Sequence, residues 1–413
     1  MTRVTLVVNR HHAPSETFQR SLASILAGGG HAVTVHALET GRGTDAAVEG
    51  VGRSEGLAPL SARPTPKLVG QLIRSSDRAM AVAVRRGRAR FGTGSRALRA
   101  ALVAGPILAS RPEVVHLGFS GIGVGIRDAL DLLDGVTVVV SCRGTDELIH
   151  PLLDTERADA LAELLGAVDR VHVVADAVGD AVLALGADPS RIRVIRPAVD
   201  LEVWTPRPPP AELHGRPVHL VAVSRLAAAK AHGDLLTALA IVRAGAIDAR
   251  LTIVGEGPER DVLRLRAARA GLGDAVTLVG AQKLSKVMAL ISDADLFVSA
   301  SLSEGISNGV LEAMARQVPV VATAVGGMAE AIADGDSGWL VPPSRPDLLA
   351  AAVLSARADP ARLGAVAAAG RARAVEAFGL DRQRAEWLAF YDELPVRSAD
   401  LACRNVPPRE GTH

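Results

Sequence analysis

The sequence is poor in the residues that build disulfides, aromatic stacking platforms and membrane spans. Of its 413 residues two are cysteine, Cys142 and Cys403, which excludes a disulfide framework and a cysteine-rich zinc site. Aromatic residues make up 2% of the chain. No stretch reaches the roughly 18 apolar residues of a transmembrane helix, and the short apolar start TRVTLVV predicts no secretory signal. We therefore expect a soluble protein of the reducing cytoplasm.

Charge of one sign is not in excess either. The 46 basic and 45 acidic residues give a net charge of +1, so no global field indicates a nucleic-acid partner. One segment departs from this balance, because residues 71–99 carry a single acidic residue, Asp77, beside Arg74, Arg78, Arg85, Arg86, Arg88, Arg90, Arg96 and Arg99. The favoured interpretation is a solvated helix pair, since Phe91 is the one aromatic anchor. The alternative is weak peripheral contact with an anionic membrane, or a surface for an acidic substrate.

Short apolar runs alternate with helical patterns along the chain. The runs are VTLVVN (4–9), HAVTVHAL (31–38), EVVHLGF (113–119), VTVVVSC (136–142), RVHVVAD (170–176), PVHLVAVS (217–224), RLTIVGEG (250–257), AVTLVGA (275–281), DLFVSAS (295–301) and VPVVAT (318–323). Such alternation is typical of parallel sheets covered by helices. The predicted fold class is therefore α/β, with Rossmann-like, doubly wound sheets whose ligands bind beyond the carboxyl ends of the strands.

A proline-rich stretch divides this pattern into two halves. Between Ile195 and Pro217 the prolines at 206, 208, 209 and 210 interrupt any regular element, so this stretch is the best linker candidate. We expect one Rossmann-like domain over residues 1–198 and a second over residues 199–380. A helix and a tail that we expect to be flexible follow over residues 381–413.

The stretch SLSEGISNGVLEAMARQVPVVAT, residues 301–323, carries two glutamates on either side of a glycine-asparagine-glycine break. Because glycine and asparagine disfavour a continuous helix, Glu304 is predicted in the loop after a buried strand. Glu312 is predicted in the first turns of the next helix, which begins with VLEAMAR and is capped by Asn308 or Gly309. A helix N-terminus between two carboxylates is suited to an anion with nearby hydroxyls, such as a nucleotide or sugar phosphate.

This segment, with its E-x7-E spacing, resembles the donor-site signature of glycosyltransferase family 4, a family of retaining enzymes with the two-domain GT-B fold. Further segments resemble that family's motifs in the same order, and they are APSETFQRSLASILAGGGHAVTV (13–35), VIRPAVD (194–200), VSRLAAAKAHGDLLTAL (223–239), LTIVGEGPER (251–260) and VGGMAEAIADGDSGWLVPP (325–343). The resemblance covers nearly the entire chain. It implies that the second domain binds a nucleotide-sugar, that the first binds the acceptor, and that the final helix, within residues 378–395, packs back across the first domain.

The resemblance implies roles for residues of the second half. Three are catalytic candidates: Arg225 and Lys230 would stabilise the departing diphosphate, and Glu304 would lie beside the donor sugar. The other donor-binding candidates are Glu312 at the ribose, Ser307, Asn308 and Gly309 at the helix start, Gly255 in a glycine-rich turn, and Gly280 and Ala281 beside the base. A surface salt bridge is an alternative role for Arg225 or Lys230 taken alone. The alternative for Glu312 is a carboxylate that stabilises the first turn of its helix without a ligand.

The acceptor-side candidates come from the first half. Ser15, Glu16 and Thr17 follow the first strand, where helix capping is an alternative role for the serine. In SCRGTDELIHP (141–151), Arg143 stands where many family members carry a histidine, and an arginine cannot act as a base at pH 7. Instead of acting as a base, Arg143 would bind an anionic acceptor or a phosphate. The last two candidates are His116, a residue more often structural than catalytic within a strand, and Asp146.

We expect no obligatory metal or cofactor. Asp293 and Asp295 imitate an Asp-x-Asp metal motif, but their place before a buried strand favours a cap or a salt bridge. The predicted function is retaining transfer of a sugar from a UDP-, GDP-, ADP- or dTDP-sugar to an acceptor hydroxyl. The alternatives are a nucleotide-sugar epimerase, a pseudo-glycosyltransferase that joins cyclitols, and a non-catalytic nucleotide-sugar-binding protein. The base, the sugar and the acceptor stay open.

Overall fold

The computed structural model describes residues 1–10, 17–39, 51–53, 78–207 and 216–395. In these residues the chain forms two β-sheets, and every strand pairing within them is parallel. None of the described helices combines the length and the apolar character that a membrane span requires.

The first sheet has seven strands in the order β3-β2-β1-β4-β5-β6-β7. These strands are β1 (Arg3–Arg10), β2 (Ala32–Glu39), β3 (Val51–Arg53), β4 (Val114–Leu117), β5 (Thr137–Cys142), β6 (Arg170–Val173) and β7 (Ile192–Val194). The helices of this half are α1 (Thr17–Gly28), α2 (Arg78–Phe91), α3 (Ser95–Ala109), α4 (Ser120–Gly125), α5 (Arg127–Leu130), α6 (Thr145–Leu148), α7 (His150–Leu153), α8 (Thr155–Ala167) and α9 (Asp176–Ala184). The central strands β4 and β5 are buried along their whole length, as their valine-rich sequences predict.

The second sheet has six strands in the order β10-β9-β8-β11-β12-β13. These strands are β8 (Val218–Val223), β9 (Ala249–Val254), β10 (Val276–Gly280), β11 (Leu296–Ser299), β12 (Val320–Thr323) and β13 (Trp339–Val341). The helices that accompany them are α10 (His232–Ala244), α11 (Arg260–Arg269), α12 (Leu284–Asp293), α13 (Asn308–Ala315), α14 (Met328–Ala331), α15 (Pro346–Ala358) and α16 (Pro360–Phe378).

Strand order reverses beside the first strand of each sheet. The reversal lies between β1 and β4 in the first sheet and between β8 and β11 in the second. At such a point neighbouring connections leave on opposite faces, and a crevice opens beyond the carboxyl ends of the strands. The α/β, doubly wound fold predicted from the sequence is therefore confirmed, and the crevices locate the candidate site.

Each apolar run named above overlaps an observed strand. Three further strands, β3, β7 and β13, were not predicted, and each of them is three residues long. A run this short gives no periodicity to recognise, so its place in the sheet depends on pairing with a neighbouring strand.

The predicted linker packs in part on the second half. Trp204 is buried, and the guanidinium of Arg207 donates a hydrogen bond to the carbonyl oxygen of Ser292 at 2.6 Å. Residues 208–215, which hold most of the prolines, lie outside the described residues. The boundary at residue 198 stays a prediction.

The final helix, α17 (Leu380–Asp392), returns to the first half. The chain crosses back where the N–H of Val199 donates to the carbonyl oxygen of Phe378 at 2.8 Å. Trp387, Phe390 and Tyr391 of α17 are then buried in one apolar cluster with residues of β1 and α1. Two crossings of the chain therefore lie side by side between the halves.

The arginine-rich segment forms α2 and the start of α3, while residues 71–77 lie outside the described residues. Its side chains are partly paired: Arg90 lies 3.0 Å from Asp131, and Arg96 lies 2.8 Å from Asp128. These ion pairs are exposed, as the interpretation of a solvated helix pair requires. Membrane contact through this segment stays a prediction.

Candidate active site

A cleft of about 720 Å³ lies between the two halves, at the carboxyl ends of their strands. Its first wall is formed by residues that follow β1, β4 and β5, and its second wall by residues that follow β8 and β11. This is the place where two doubly wound sheets present their loops. The candidate site is therefore built from both halves of the chain.

The second wall holds an ion pair between two predicted catalytic residues. Lys230 ends a short 3₁₀ turn after β8, Glu304 lies in the loop after β11, and its Oε1 lies 2.6 Å from the lysine Nζ. The hydroxyl of Ser301 donates to the same carboxylate oxygen at 2.8 Å. The side chains of the pair are 16% and 10% exposed, so each charge depends on the other for compensation.

Arg225 lies in the same wall and is differently placed. It is exposed and lines the cleft directly after β8. No hydrogen bond or ion pair joins its guanidinium to any residue that the structure describes. A free arginine fork beside a lysine suits a diphosphate, because the fork binds two oxygens and the ammonium adds a point charge.

The helix start predicted between the two glutamates is present in a slightly different position. Helix α13 begins at Asn308 with Ser307 as its N-cap residue, and no side chain caps its first turn. The prediction that Asn308 or Gly309 caps the helix was wrong, because both lie within the first turn. A Cβ on Gly309 would lie 2.8 Å from the carbonyl oxygen of Val223, so glycine lets α13 pack against the end of β8. The open first turn adds a positive dipole end to the cleft.

Glu312 lies one turn further along α13 and is half-buried. It is absent from the cleft lining, and no polar group of the described residues bonds to its carboxylate. Burial raises the pKa of Glu312 to about 7, because the charged form loses solvation. The two glutamates of the E-x7-E segment therefore differ: one is paired with a lysine in the cleft, and the other is unpaired behind the helix start.

Local structure accounts for the two glycines that were predicted to contact the nucleotide. A Cβ on Gly255 would collide with the carbonyl oxygen of Ser224, and one on Gly280 would lie 2.6 Å from a carboxylate oxygen of Glu256. Neither glycine lines the cleft, and the exposed Ala281 does not line it either. Close approach of the Ser224 backbone explains Gly255, and a φ of +75° favours glycine at position 280, so neither glycine depends on a ligand.

The first wall centres on Arg143, which directly follows β5. Its guanidinium carbon lies 3.4 Å from the ring centroid of Phe18, a residue of α1. Burial lowers the pKa of Arg143 to about 9, although the nearby Glu147 opposes this shift. The arginine stays cationic at neutral pH and forms part of the cleft surface.

Beneath this arginine lies Glu147, a buried carboxyl group that sequence reasoning missed. It accepts hydrogen bonds from the hydroxyl of Ser120 and from the peptide N–H groups of Arg143 and Gly144. Burial is the largest cause that raises the pKa of Glu147 to about 7. Its place three residues after Gly144, at the start of α6, is the capping pattern that could have indicated it.

Asp146 also lines the cleft, and its carboxylate contacts polar groups of other residues in the first half. Its Oδ1 lies 2.9 Å from Nδ1 of His150 and 3.4 Å from the guanidinium of Arg157. Its Oδ2 accepts the peptide N–H of Gly121 at 3.3 Å. Asp146 therefore organises the loops of this wall.

His116 is a structural histidine in the core of the first half. It is 1% exposed, with Nδ1 2.6 Å from the hydroxyl of Tyr391 and Nε2 2.8 Å from the hydroxyl of Ser141. Burial lowers the pKa of His116 to about 3, so the ring is neutral at neutral pH. It lines a small cavity of about 20 Å³ behind Arg143 and not the cleft itself, so an acceptor in the cleft does not meet it.

The remaining predictions concern the loop after β1 and the Asp-x-Asp segment. Ser15 and Glu16 lie outside the described residues, and Thr17 begins α1. In the Asp-x-Asp segment, Asp295 is buried and pairs with the guanidinium of Arg216, with one contact of 2.9 Å. The salt-bridge interpretation of that segment is confirmed.

The two halves meet directly beside the cleft. A Cβ on Gly144 would lie 2.7 Å from the backbone nitrogen of Gly305, so the loops that carry Arg143 and Glu304 are in contact. Nearby, Glu330 of α14 accepts the peptide N–H of Ala177 at 3.1 Å and pairs with the guanidinium of Arg196 at 2.8 Å. Sequence reasoning missed this contact, because no local pattern relates residues 134 positions apart.

Two family models match the chain and together account for most of it. The model described as Glycosyltransferase Family 4 matches residues 15–203, and the model described as Glycosyl transferases group 1 matches residues 209–373. The two matches meet inside the predicted linker.

Named relatives and a solved structure agree with these models. The amylovoran biosynthesis glycosyltransferase AmsK of Erwinia amylovora is 29% identical over 63% of this chain and 64% of its own length. A D-inositol 3-phosphate glycosyltransferase of Segniliparus rotundus is 36% identical over 46% of this chain and 44% of its own length. The chain thus spans less than two thirds of either relative. The crystal structure of Anabaena HepE in complex with UDP and glucose shares the fold, with a TM-score of 0.74 at 16% identity over 95% of this chain and all of that one.

Proposed function

This chain belongs to the family 4 glycosyltransferases, and on that premise we propose that it transfers a sugar from a nucleotide-sugar to an acceptor hydroxyl with retention of configuration. The second domain, residues 199–380, binds the donor, and the first, residues 1–198, binds the acceptor. Residues 381–413 contribute the helix that returns to the first domain. The similarity to a HepE structure that contains UDP-glucose supports a nucleotide-sugar as donor.

The observation that carries this proposal is the Lys230–Glu304 ion pair beside Arg225 and the open first turn of α13. This arrangement offers two cations and a helix dipole to a diphosphate, and a carboxylate to the hydroxyls of a sugar. Ser307, Asn308 and Gly309 present peptide N–H groups to the same oxygens. A nucleoside diphosphate sugar is the ligand class that uses all of these groups at once.

The same groups account for the chemistry. The bond between the anomeric carbon and the diphosphate oxygen breaks, and the acceptor oxygen forms its bond on the face that the diphosphate leaves. The acceptor proton passes to the departing phosphate. Arg225 and Lys230 stabilise the charge that develops on the diphosphate, while Glu304 orients the sugar and the lysine. No residue of the chain acts as a covalent nucleophile in this scheme.

The remaining donor contacts are made by residues of the second domain. The family resemblance assigns Glu312 to the ribose hydroxyls and Gly255, Gly280 and Ala281 to the nucleoside, although none of the four lines the cleft described above. Contact between the Arg143 and Glu304 loops closes the cleft over the donor, since a donor open to water risks hydrolysis. Because both cations come from the protein, the reaction needs no obligatory metal.

Release of nucleoside diphosphate from UDP-, GDP-, ADP- and dTDP-sugars tests this function. The assay is run in EDTA and then with Mg²⁺, and the anomeric configuration of the product is read by proton NMR. We expect one nucleotide family to be used without metal and the product to keep the donor's configuration. An inverted product, or a strict need for Mg²⁺, would contradict the mechanism. Binding of a nucleotide-sugar without any turnover would favour the binding-protein alternative, and a change in the donor sugar alone would favour the epimerase.

A further inference from the structure

Arg143 is a cation whose guanidinium is not directly bonded to a carboxylate of the described residues, although the nearby charge of Glu147 favours its cationic form. Its guanidinium carries five N–H donors, and no described residue accepts a hydrogen bond from it or forms an ion pair with it. Within the described part of the chain its side chain stacks on the face of the Phe18 ring. A cation held over an aromatic ring gains roughly 0.5–2 kcal/mol, but its N–H donors stay without acceptors.

The carboxylates nearby are already occupied. Both oxygens of Glu147 accept hydrogen bonds, from the hydroxyl of Ser120 and from two peptide N–H groups. Asp146 is paired with His150 and Arg157. The described part of the first wall therefore presents to the cleft a guanidinium to which none of its carboxylates is directly bonded.

The position of this charge matters as much as its sign. Phe18 and Arg143 line both the cleft and the small cavity behind it, so together they form the partition between the two. The carbonyl oxygen of Arg143 lies 2.6 Å from where a Cβ on Gly305 would lie. Because Gly305 directly follows Glu304, a group bound by Arg143 lies in the part of the cleft next to the sugar-transfer centre.

We propose that Arg143 binds an anionic group of the acceptor, so that the acceptor class is a hydroxyl compound that carries a phosphate or a carboxylate. This inference rests on the proposed function, because it takes the occupant of the first wall to be the acceptor. The planar fork of arginine binds two oxygens of either group and supplies the acceptors that its N–H donors lack. The ring of Phe18 holds the fork in place before the acceptor arrives.

Matched acceptor pairs test the inference. The panel contains a hexose, its 6-phosphate and the corresponding hexuronate, with glycerol, glycerol 3-phosphate and glycerate as a second set. Acceptor-stimulated transfer from the established donor is measured for each, together with the melting temperature of the nucleotide-bound protein. We expect anionic members to stimulate transfer and to raise the melting temperature, and neutral members to do neither. Comparing the phosphate with the carboxylate member of each set identifies which anion is used.

Substitutions then separate binding from structure. We expect Arg143→Gln to raise KM for the anionic acceptor by about 10- to 100-fold, with a smaller change in kcat, because a charge-assisted hydrogen bond is lost. Arg143→Lys restores part of this loss, since it keeps the charge without the fork. Arg127→Gln, which removes an exposed arginine paired with Glu163, serves as the matched control and leaves KM unchanged.

The outcomes distinguish this inference from the proposed function. Stabilisation of the wild type by a nucleoside diphosphate, measured without acceptor, reports on the donor site alone, so its absence contradicts the proposed function. The inference is overturned if neutral acceptors serve as well as their anionic partners, if Arg143→Gln weakens both members of a pair equally, or if no anionic member shifts the melting temperature.

Discussion

The two walls of the cleft handle charge in opposite ways. In the second wall Lys230 and Glu304 compensate each other at 2.6 Å, and no residue that the structure describes pairs with the guanidinium of Arg225 beside them. In the first wall the guanidinium of Arg143 stacks on Phe18, while the carboxylate of Glu147 is bound by its own loop. A paired wall suits a ligand that presents both phosphates and hydroxyls, and an unpaired cation suits a ligand with an anionic group. The predictions below test this difference in charge between the two walls.

Removal of the lysine from the paired wall has the largest expected effect. Lys230→Ala takes away charge stabilisation of the departing diphosphate and leaves Glu304 buried without its partner. Loss of one such group at a transition state reduces kcat by about 10²- to 10³-fold. The assay is nucleotide release at saturating donor. The exposed Lys286 provides the control, because Lys286→Ala removes the same charge at a residue that does not line the cleft. An unchanged rate in Lys230→Ala would show that the pair has no catalytic role.

Contact between the walls is the next target. Gly144 has φ of +132°, and a Cβ there would lie 2.7 Å from the nitrogen of Gly305. We expect Gly144→Ala to lower the free energy of unfolding by roughly 1–3 kcal/mol and to slow transfer, because the two loops must separate. Denaturant unfolding measures the first effect.

Gly166 provides a matched control for the Gly144→Ala substitution. At Gly166, in α8, no atom lies within 4 Å of an added Cβ, and its φ is not positive. Gly166→Ala is expected to raise the free energy of unfolding by no more than the roughly 0.5–1 kcal/mol of a helix interior, because Gly166 lies in the last turn of α8. Equal effects at the two positions would mean that the loop contact does not constrain the halves.

Glu312 gives a pH-dependent prediction. Its pKa is raised to about 7 by burial, so the folded state holds the proton more tightly than the unfolded state. This carboxyl group therefore favours folding below its ordinary pKa, and that contribution is lost as the pH rises through about 7. Glu312→Gln should raise the melting temperature above pH 7, and the gain should shrink near about pH 5. A gain that is the same at both pH values would show that the carboxylate is not desolvated.

The smallest effect is expected in the core behind the first wall. Tyr391→Phe removes the hydroxyl that lies 2.6 Å from Nδ1 of His116. Loss of this bond should lower the free energy of unfolding by about 1 kcal/mol. Because burial keeps the pKa of His116 at about 3, the pH profile of transfer should not move. A shifted profile would instead place this histidine in the reaction.

Sequence reasoning was most successful where the signal is local. The apolar runs located the longer strands, and the E-x7-E segment located Glu304 beside a helix start. Predictions failed where a contact joins distant parts of the chain. Phe18 meets Arg143 only after β1 and β5 have entered one sheet, and Glu330 meets Arg196 only after both halves have folded. Pairing and packing across such distances decide these contacts, and no periodicity within one segment records them.

The central claim is that the wall after β8 and β11 binds a nucleoside diphosphate. Thermal unfolding of the wild type, Arg225→Ala and the surface control Arg269→Ala with UDP, GDP, ADP and dTDP tests it most directly. A nucleotide at a hundred times its Kd adds about 2.7 kcal/mol of stability. The account predicts that one nucleotide stabilises the wild type and the control, and that Arg225→Ala loses this shift. If no nucleotide stabilises the wild type, or if Arg225→Ala keeps the full shift, the donor site does not lie in this wall.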